Sequence, residues 1–127
     1  MKLAKLDHVA LVCADVETSR SWYMSVLGME WVFPGQWGGN PCFLQKGESY
    51  LALFQAGRPS AAPVRSGGPR IDHFAFLAKH RDDYEQAKAE LRERGIPFDE
   101  QDHDISLSLY MKDPDGHTVE ITTYDLA

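Results

Sequence analysis

Cysteine is scarce in this chain, with only Cys13 and Cys42 among 127 residues. Two cysteines are too few for a disulfide scaffold and neither belongs to a Cys-x-x-Cys motif; they could pair in principle, but in a cytosolic chain of this size both are expected as buried free thiols. Long apolar runs are also missing. No segment approaches the roughly 20 residues of a spanning helix, and the opening Met1-Lys2-Leu3-Ala4-Lys5-Leu6 lacks a secretory apolar core, so no membrane partner and a cytoplasmic location are expected. Positive charge is in the minority, 13 Lys and Arg against 19 Asp and Glu, for a formal net charge of −6. Without a Lys/Arg stripe, nucleic acid is not an expected partner. What remains, 43% hydrophobic and 25% charged residues, suits a single globular domain with a real core.

The most informative feature present is a repeat. Leu6-Asp7-His8-Val9-Ala10-Leu11 and Ile71-Asp72-His73-Phe74-Ala75-Phe76 each place an Asp-His pair at the head of an alternating apolar run. Each run is followed by a helical pattern with its own punctuation. Asp15 caps an expected helix over 16–27 stopped by Gly28, and Asp82 and Asp83 open one over 81–94 stopped by Gly95. Three strand-like pieces follow in each half: 29–33, 41–45 and 50–55, then 97–103, 106–112 and 117–124. The turn Asp113-Pro114-Asp115-Gly116 joins the last two. Each half therefore reads as a βαβββ module, and the Ala/Gly/Pro/Ser-rich stretch between them reads as a linker.

Strand parity suggests which side chains share a surface. Leu107, Leu109 and Met111 alternate with Ser106, Ser108 and Tyr110, and Val119 and Ile121 alternate with Thr118, Glu120 and Thr122. If the apolar sets cover a helix, the opposite face carries Ser108, Tyr110, Glu120 and Thr122 beside His73. In the first half, aligning Gly47 with Gly116 puts Leu51 and Leu53 where Glu120 and Thr122 stand, so the second module should hold most of the chemistry. Two histidines and a carboxylate on three strands form a metal-site hypothesis, with His8, His73 and Glu120 as ligands. The plainer alternatives are strand histidines satisfied by neighbours, a rim charge at Glu120, a surface His103 and a merely cavity-lining Tyr110. Trp31 is expected to pack in the core, and Phe33 and Trp37 to wall a pocket.

On these residues the chain resembles the vicinal oxygen chelate superfamily, which includes glyoxalase I, fosfomycin-resistance enzymes, bleomycin-binding proteins and extradiol dioxygenases. The resemblance implies an α+β fold: two βαβββ modules forming a cupped mixed sheet, a half-barrel around a metal site, with the helices outside. Residues 1–127 would be one such domain, with module one at 4–56, a linker at 57–69 and module two at 70–125. The fourth ligand position of glyoxalase I falls on Leu51, which implies three protein ligands here.

The run from His103 through Leu109-Tyr110 and Asp113-Pro114-Asp115-Gly116 to Glu120 is similar to the extradiol dioxygenase signature. That likeness implies His103 as acid/base and Tyr110 as hydrogen-bond donor. The chemistry implied is chelation of two vicinal oxygens of a small-molecule substrate on a divalent ion, with Fe(II) or Mn(II) favoured and Ni or Zn as alternatives. An extradiol-dioxygenase-like activity is the first expectation. A glyoxalase-type lyase or isomerase, a thiol transferase and a non-catalytic antibiotic-binding protein are the others. A homodimer is expected, its sites built within one chain or by exchange of modules between two.

Overall fold

The computed structural model describes residues 1–57 and 68–127. The central part of the expected linker, 58–67, lies outside the described residues. The chain forms two compact units, Met1–Ala61 and Ala62–Ala127, and each holds one βαβββ module, the α+β architecture the resemblance implies. No helix among the described residues is long and apolar enough to cross a membrane.

Module one runs β1 (His8–Cys13), α1 (Val16–Val26), β2 (Glu30–Val32), a 3-10 turn at Trp37–Gly39, β3 (Cys42–Lys46) and β4 (Ser49–Gln55). Its sheet order is β1-β4-β3-β2. The helical crossover lets β1 lie parallel to β4, while the hairpin makes β3 and β4 antiparallel. The α1 boundaries follow from local chemistry. The Asp15 carboxylate accepts from the Glu17 backbone N–H (3.3 Å) and the Thr18 hydroxyl (2.7 Å), and Gly28 takes φ 68° to end the helix. Tyr23, Val16 and Ser19 are buried on α1, and Leu11, Leu44, Leu51 and Leu53 are buried on the sheet. Each such leucine stabilises the unit by roughly 1.5–3 kcal/mol. Cys13 and Cys42 are free and buried, as expected. Trp31 departs from expectation: on the edge strand β2 it is 40% exposed, because its cover is the Arg20 guanidinium, 4.1 Å from the ring centroid.

Module two repeats the plan with β5 (Phe74–Leu77), α2 (Arg81–Glu93), β6 (Asp99–Asp102), β7 (Leu107–Lys112) and β8 (Thr118–Thr123), ordered β5-β8-β7-β6. The cap of α2 comes from far along the chain. His80 makes no side-chain cap bond; instead the Asp125 carboxylate accepts from the Arg81 backbone N–H at 2.8 Å. Tyr84 and Leu91 are buried on α2, as are Leu109, Met111 and Val119 on the sheet. The apolar parity set therefore lies on the helix side, and Ser108, Tyr110, Glu120 and Thr122 take the other face.

The strand ladders correct one reading of the repeat. Leu44 pairs with Leu51 and Phe43 with Ala52, while Met111 pairs with Val119 and Tyr110 with Glu120. Beside the histidine strands, Val9 pairs with Leu51 and Phe74 with Val119. The counterpart of Glu120 is therefore Ala52, not Leu51. The connection beyond equivalent pairs is residues 46–49 in module one and 113–117 in module two, one residue longer. Matching glycine to glycine thus slips the register by one and exchanges the faces. The position still carries no ligand atom.

Beneath α2, the Tyr84 hydroxyl donates to Glu100 Oε2 at 2.7 Å, and Lys88 Nζ stands 3.0 Å from the same oxygen. The Tyr84 bond, then Lys88, holds Glu100 below the usual carboxylate range. A depressed folded pKa contributes stability above the unfolded value, and that contribution is lost as pH falls through the folded one. Tyr84→Phe is expected to cost about 1–2 kcal/mol at neutral pH, the lower part of the range for a charged acceptor because Glu100 is partly exposed. The cost should shrink below about pH 4. Urea unfolding of both proteins across pH 3–8 measures it.

Candidate metal centre

On the helix-free face of module two, β8 carries Glu120 beside β7, and His73 stands one residue ahead of β5. Glu120 is buried, 7% exposed. Its Oε2 accepts from the Ser108 hydroxyl at 2.7 Å, and its Oε1 lies 2.9 Å from His73 Nε2. The other ring nitrogen of His73 is taken, with Nδ1 2.8 Å from Asp72 Oδ2.

This arrangement carries a chemical requirement. An Nδ1–H that donates to Asp72 leaves a lone pair on Nε2 of the neutral ring, facing a carboxylate oxygen at bonding distance. Two acceptors at that separation repel unless a cation stands between them. A proton meets the need, and the bond to Asp72 first, followed by the Glu120 charge, raises the His73 pKa above the ordinary imidazole value. A metal ion meets it equally well: a neutral imidazole and a carboxylate turned toward one point, with the far nitrogen held by a second carboxylate, form a fitting donor pair.

Tyr110 and His103 adjoin the pair. The Tyr110 ring meets the His73 ring edge to face, centroids 5.6 Å apart, and its hydroxyl lies 3.0 Å from His103 Nε2. Burial, then the Glu120 charge, raises the Tyr110 pKa, so the phenol is a donor. His103 reaches it from the β6–β7 hairpin, where Asp104 adopts φ 68° and the His103 N–H donates to the Ser106 carbonyl at 2.9 Å. His103 itself is exposed, as the surface-polar alternative expects, and makes this contact from the surface. An open cleft of about 690 Å³ adjoins these groups, its lining including Asp72, His73, Phe98, Gln101, Tyr110 and Lys112.

His8 belongs to module one. Its Nδ1 lies 2.9 Å from Asp7 Oδ2, and its ring meets Phe43 with centroids 5.4 Å apart. Phe43 is in turn in ring contact with Tyr50, Phe33 and Trp37. Phe33 and Trp37 are 52% and 54% exposed, so the His8 face of this sheet is aromatic where that of module two is polar.

One further group gathers metal-type donors. Asp113, Asp115 and His117 bring ligand atoms within 4.8 Å of one another in the β7–β8 turn. The Asp113 oxygens already accept from the backbone N–H groups of Asp115 and His117, both at 2.9 Å, and face His117 Nδ1 at 2.8 Å. These contacts shape the Asp-Pro-Asp-Gly turn and leave His117 half-buried, not exposed as its turn position suggests.

The family model described as Glyoxalase/Bleomycin resistance protein/Dioxygenase superfamily matches residues 5–121. Among curated relatives, biphenyl-2,3-diol 1,2-dioxygenase 2 of Rhodococcus globerulus is 32% identical over 122 residues, which cover 92% of this chain but 61% of that enzyme. The chain thus spans less than two thirds of that relative's length. Glutathione transferase FosA of Serratia marcescens is 26% identical over 98% of this chain and 84% of its own. Among solved structures, lactoylglutathione lyase from Agrobacterium tumefaciens superposes with a TM-score of 0.75 at 26% identity, covering 96% of both chains.

Ser108 is fully buried and is the hydroxyl donor to Glu120 Oε2. Ser108→Ala is expected to destabilise the metal-free protein by about 1–3 kcal/mol, the cost of leaving a buried acceptor short of a donor. Guanidinium unfolding in the presence of a chelator measures it.

Proposed function

The chain belongs to the Glyoxalase/Bleomycin resistance protein/Dioxygenase superfamily, and from that premise we propose that it is a divalent-metal enzyme of extradiol-dioxygenase type, acting on a small aromatic substrate with two adjacent oxygens. His73 Nε2 and Glu120 Oε1 would hold the ion in place of the proton between them. His8 is assigned as third ligand on the strength of the repeated Asp-His pair. Such a triad of two imidazoles and one carboxylate suits Fe(II) or Mn(II), with Ni or Zn in a non-redox enzyme. The bound ion would supply a Lewis-acid seat for both catechol oxygens and, as iron, access to O₂.

The remaining roles follow from the chain's own groups. Tyr110, kept protonated, donates a hydrogen bond to a substrate oxygen. His103, 3.0 Å from the Tyr110 hydroxyl, accepts or returns a proton at Nε2. Ser108 orients Glu120 through Oε2. Phe98 and Tyr110 give the cleft an aromatic lining for a flat ring. The observation that carries this reading is the unbroken series of contacts from His103 through Tyr110 to His73 and Glu120.

A second, non-redox reading, lyase or thiol transferase, draws support from the likeness to FosA and to lactoylglutathione lyase, whose lengths this chain covers more fully. The two separate on oxygen. After anaerobic Fe(II) reconstitution, the first expects O₂ uptake with catechol or biphenyl-2,3-diol and the visible absorbance of a ring-cleaved product. His73→Ala should abolish it. His103→Ala should lower kcat by roughly 10²–10⁴ while metal content stays at the wild-type level. Anaerobic turnover of fosfomycin or a glutathione hemithioacetal with Mn, Ni or Zn, together with no oxygen uptake, would sink the dioxygenase reading in favour of the second.

A further inference from the structure

We infer that Asp7 and Asp72 are positioning residues for His8 and His73, each carboxylate fixing the imidazole proton on Nδ1 so that the Nε2 lone pair faces the ion. The inference rests on the metal reading above and extends it to two residues outside the ligand set. In both modules the same three-part cradle recurs. A carboxylate one residue earlier meets Nδ1, at 2.9 Å in module one and 2.8 Å in module two. An aromatic ring from the register-equivalent position, Phe43 or Tyr110, lies against the imidazole, centroids 5.4 and 5.6 Å apart. Elsewhere the two faces have diverged, module one having Ala52 and Phe54 at the ladder positions that Glu120 and Thr122 take in module two. The cradle is what the repeats keep in common.

Stability does not explain it. The Asp7 and Asp72 side chains are 73% and 76% exposed, and an ion pair that open contributes little to stability. A single-residue separation also ties no distant parts of the fold together. What the contact does control is the tautomer. A neutral imidazole with its proton on Nε2 offers that nitrogen to no cation, whereas an acceptor at Nδ1 draws the proton there and makes Nε2 the ligand atom. The carboxylate also makes the ring a stronger donor toward metal, the effect for which second carboxylates behind ligating histidines cost 10–100-fold in affinity when removed.

The test uses full-length protein with ¹⁵N-labelled histidine. In the chelator-treated wild type above the titration range of the rings, His8 is expected as the Nδ1–H tautomer by long-range ¹H–¹⁵N spectra, while His73, which faces Asp72 at Nδ1 and Glu120 at Nε2, is expected to divide its proton between the two nitrogens. Asp7→Ala and Asp72→Ala should each shift their own histidine toward Nε2–H and weaken Zn(II) binding, measured by chelator competition, by 10–100-fold. Asp72→Asn, whose amide oxygen still accepts from Nδ1–H, should keep the tautomer and lose less affinity. The thermal midpoint of the metal-free variants should match wild type. Variants that bind Zn(II) within twofold of wild type, or that lose thermal stability while keeping affinity, overturn the inference. Wild-type protein that binds no Zn(II) overturns the metal reading itself, and the tautomer spectra tell that failure apart from a failure of the carboxylates to set the proton.

Discussion

The site depends on a carboxylate that module two has buried. Glu120 keeps about a tenth of its side-chain surface, with one hydroxyl at Oε2 and one imidazole nitrogen at Oε1. A buried carboxylate is tolerated only when paired, and the partner supplied is a nitrogen whose far side is already committed to Asp72. The pair is therefore built around a shared positive charge. A proton or a metal ion would meet that need, and His73 Nε2 and Glu120 Oε1, 2.9 Å apart, are the atoms that would hold either. The ion would enter a site the fold has already made electrically incomplete.

How Glu120 comes to stand there is a matter of register. The parallel pairing of β5 with β8 sets Ala75 beside Glu120, and the antiparallel pairing of β7 with β8 sets Tyr110 on its other side. Because side chains alternate along a strand, the same ladder that sends Val119 and Met111 under α2 delivers Glu120, Tyr110 and Ser108 to the opposite face. Core and site are thus two faces of one pairing. A one-residue slip would put the carboxylate under the helix and a valine in the site, so the leucine and methionine burial that holds α2 also holds the chemistry in place.

Much of this was legible in residue order. Asp15, Gly28 and Gly95 bounded the helices because caps and left-handed stops act on immediate neighbours. The alternation around Leu109 and Val119 told the faces apart because it needs only the period of a strand. The repeated Asp-His pair located the histidines. What escaped depends on contacts between distant positions or on counting residues in a turn. Asp125 capping α2 and Tyr84 reaching Glu100 join segments whose adjacency the fold alone decides. Ala52, not Leu51, matches Glu120 because the module-two turn is one residue longer, which a glycine-to-glycine match conceals. Trp31 was misjudged because the Arg20 side chain one helix away, not the core, covers it. The left-handed Asp104 that helps bring His103 to Tyr110 gave no sign, since Asp is tolerated there but does not demand it.

The two modules show how a duplicated scaffold divides labour with few substitutions. At register-equivalent places module one has Phe43, Ala52 and Phe54 where module two has Tyr110, Glu120 and Thr122. Phe43 keeps the ring against the histidine and loses the hydroxyl that Tyr110 carries at the equivalent place. Ala52 removes the carboxylate and with it the buried charge that calls for a cation. Module one thereby presents an aromatic surface, Tyr50 included, around one imidazole, whereas module two presents the Ser108 hydroxyl, the Tyr110 phenol and the Glu120 acid around the other. Both retain the carboxylate behind the imidazole. That contact is therefore tied to the histidine itself and not to the polarity of the surface around it, which is what a device for setting the ring's proton would require.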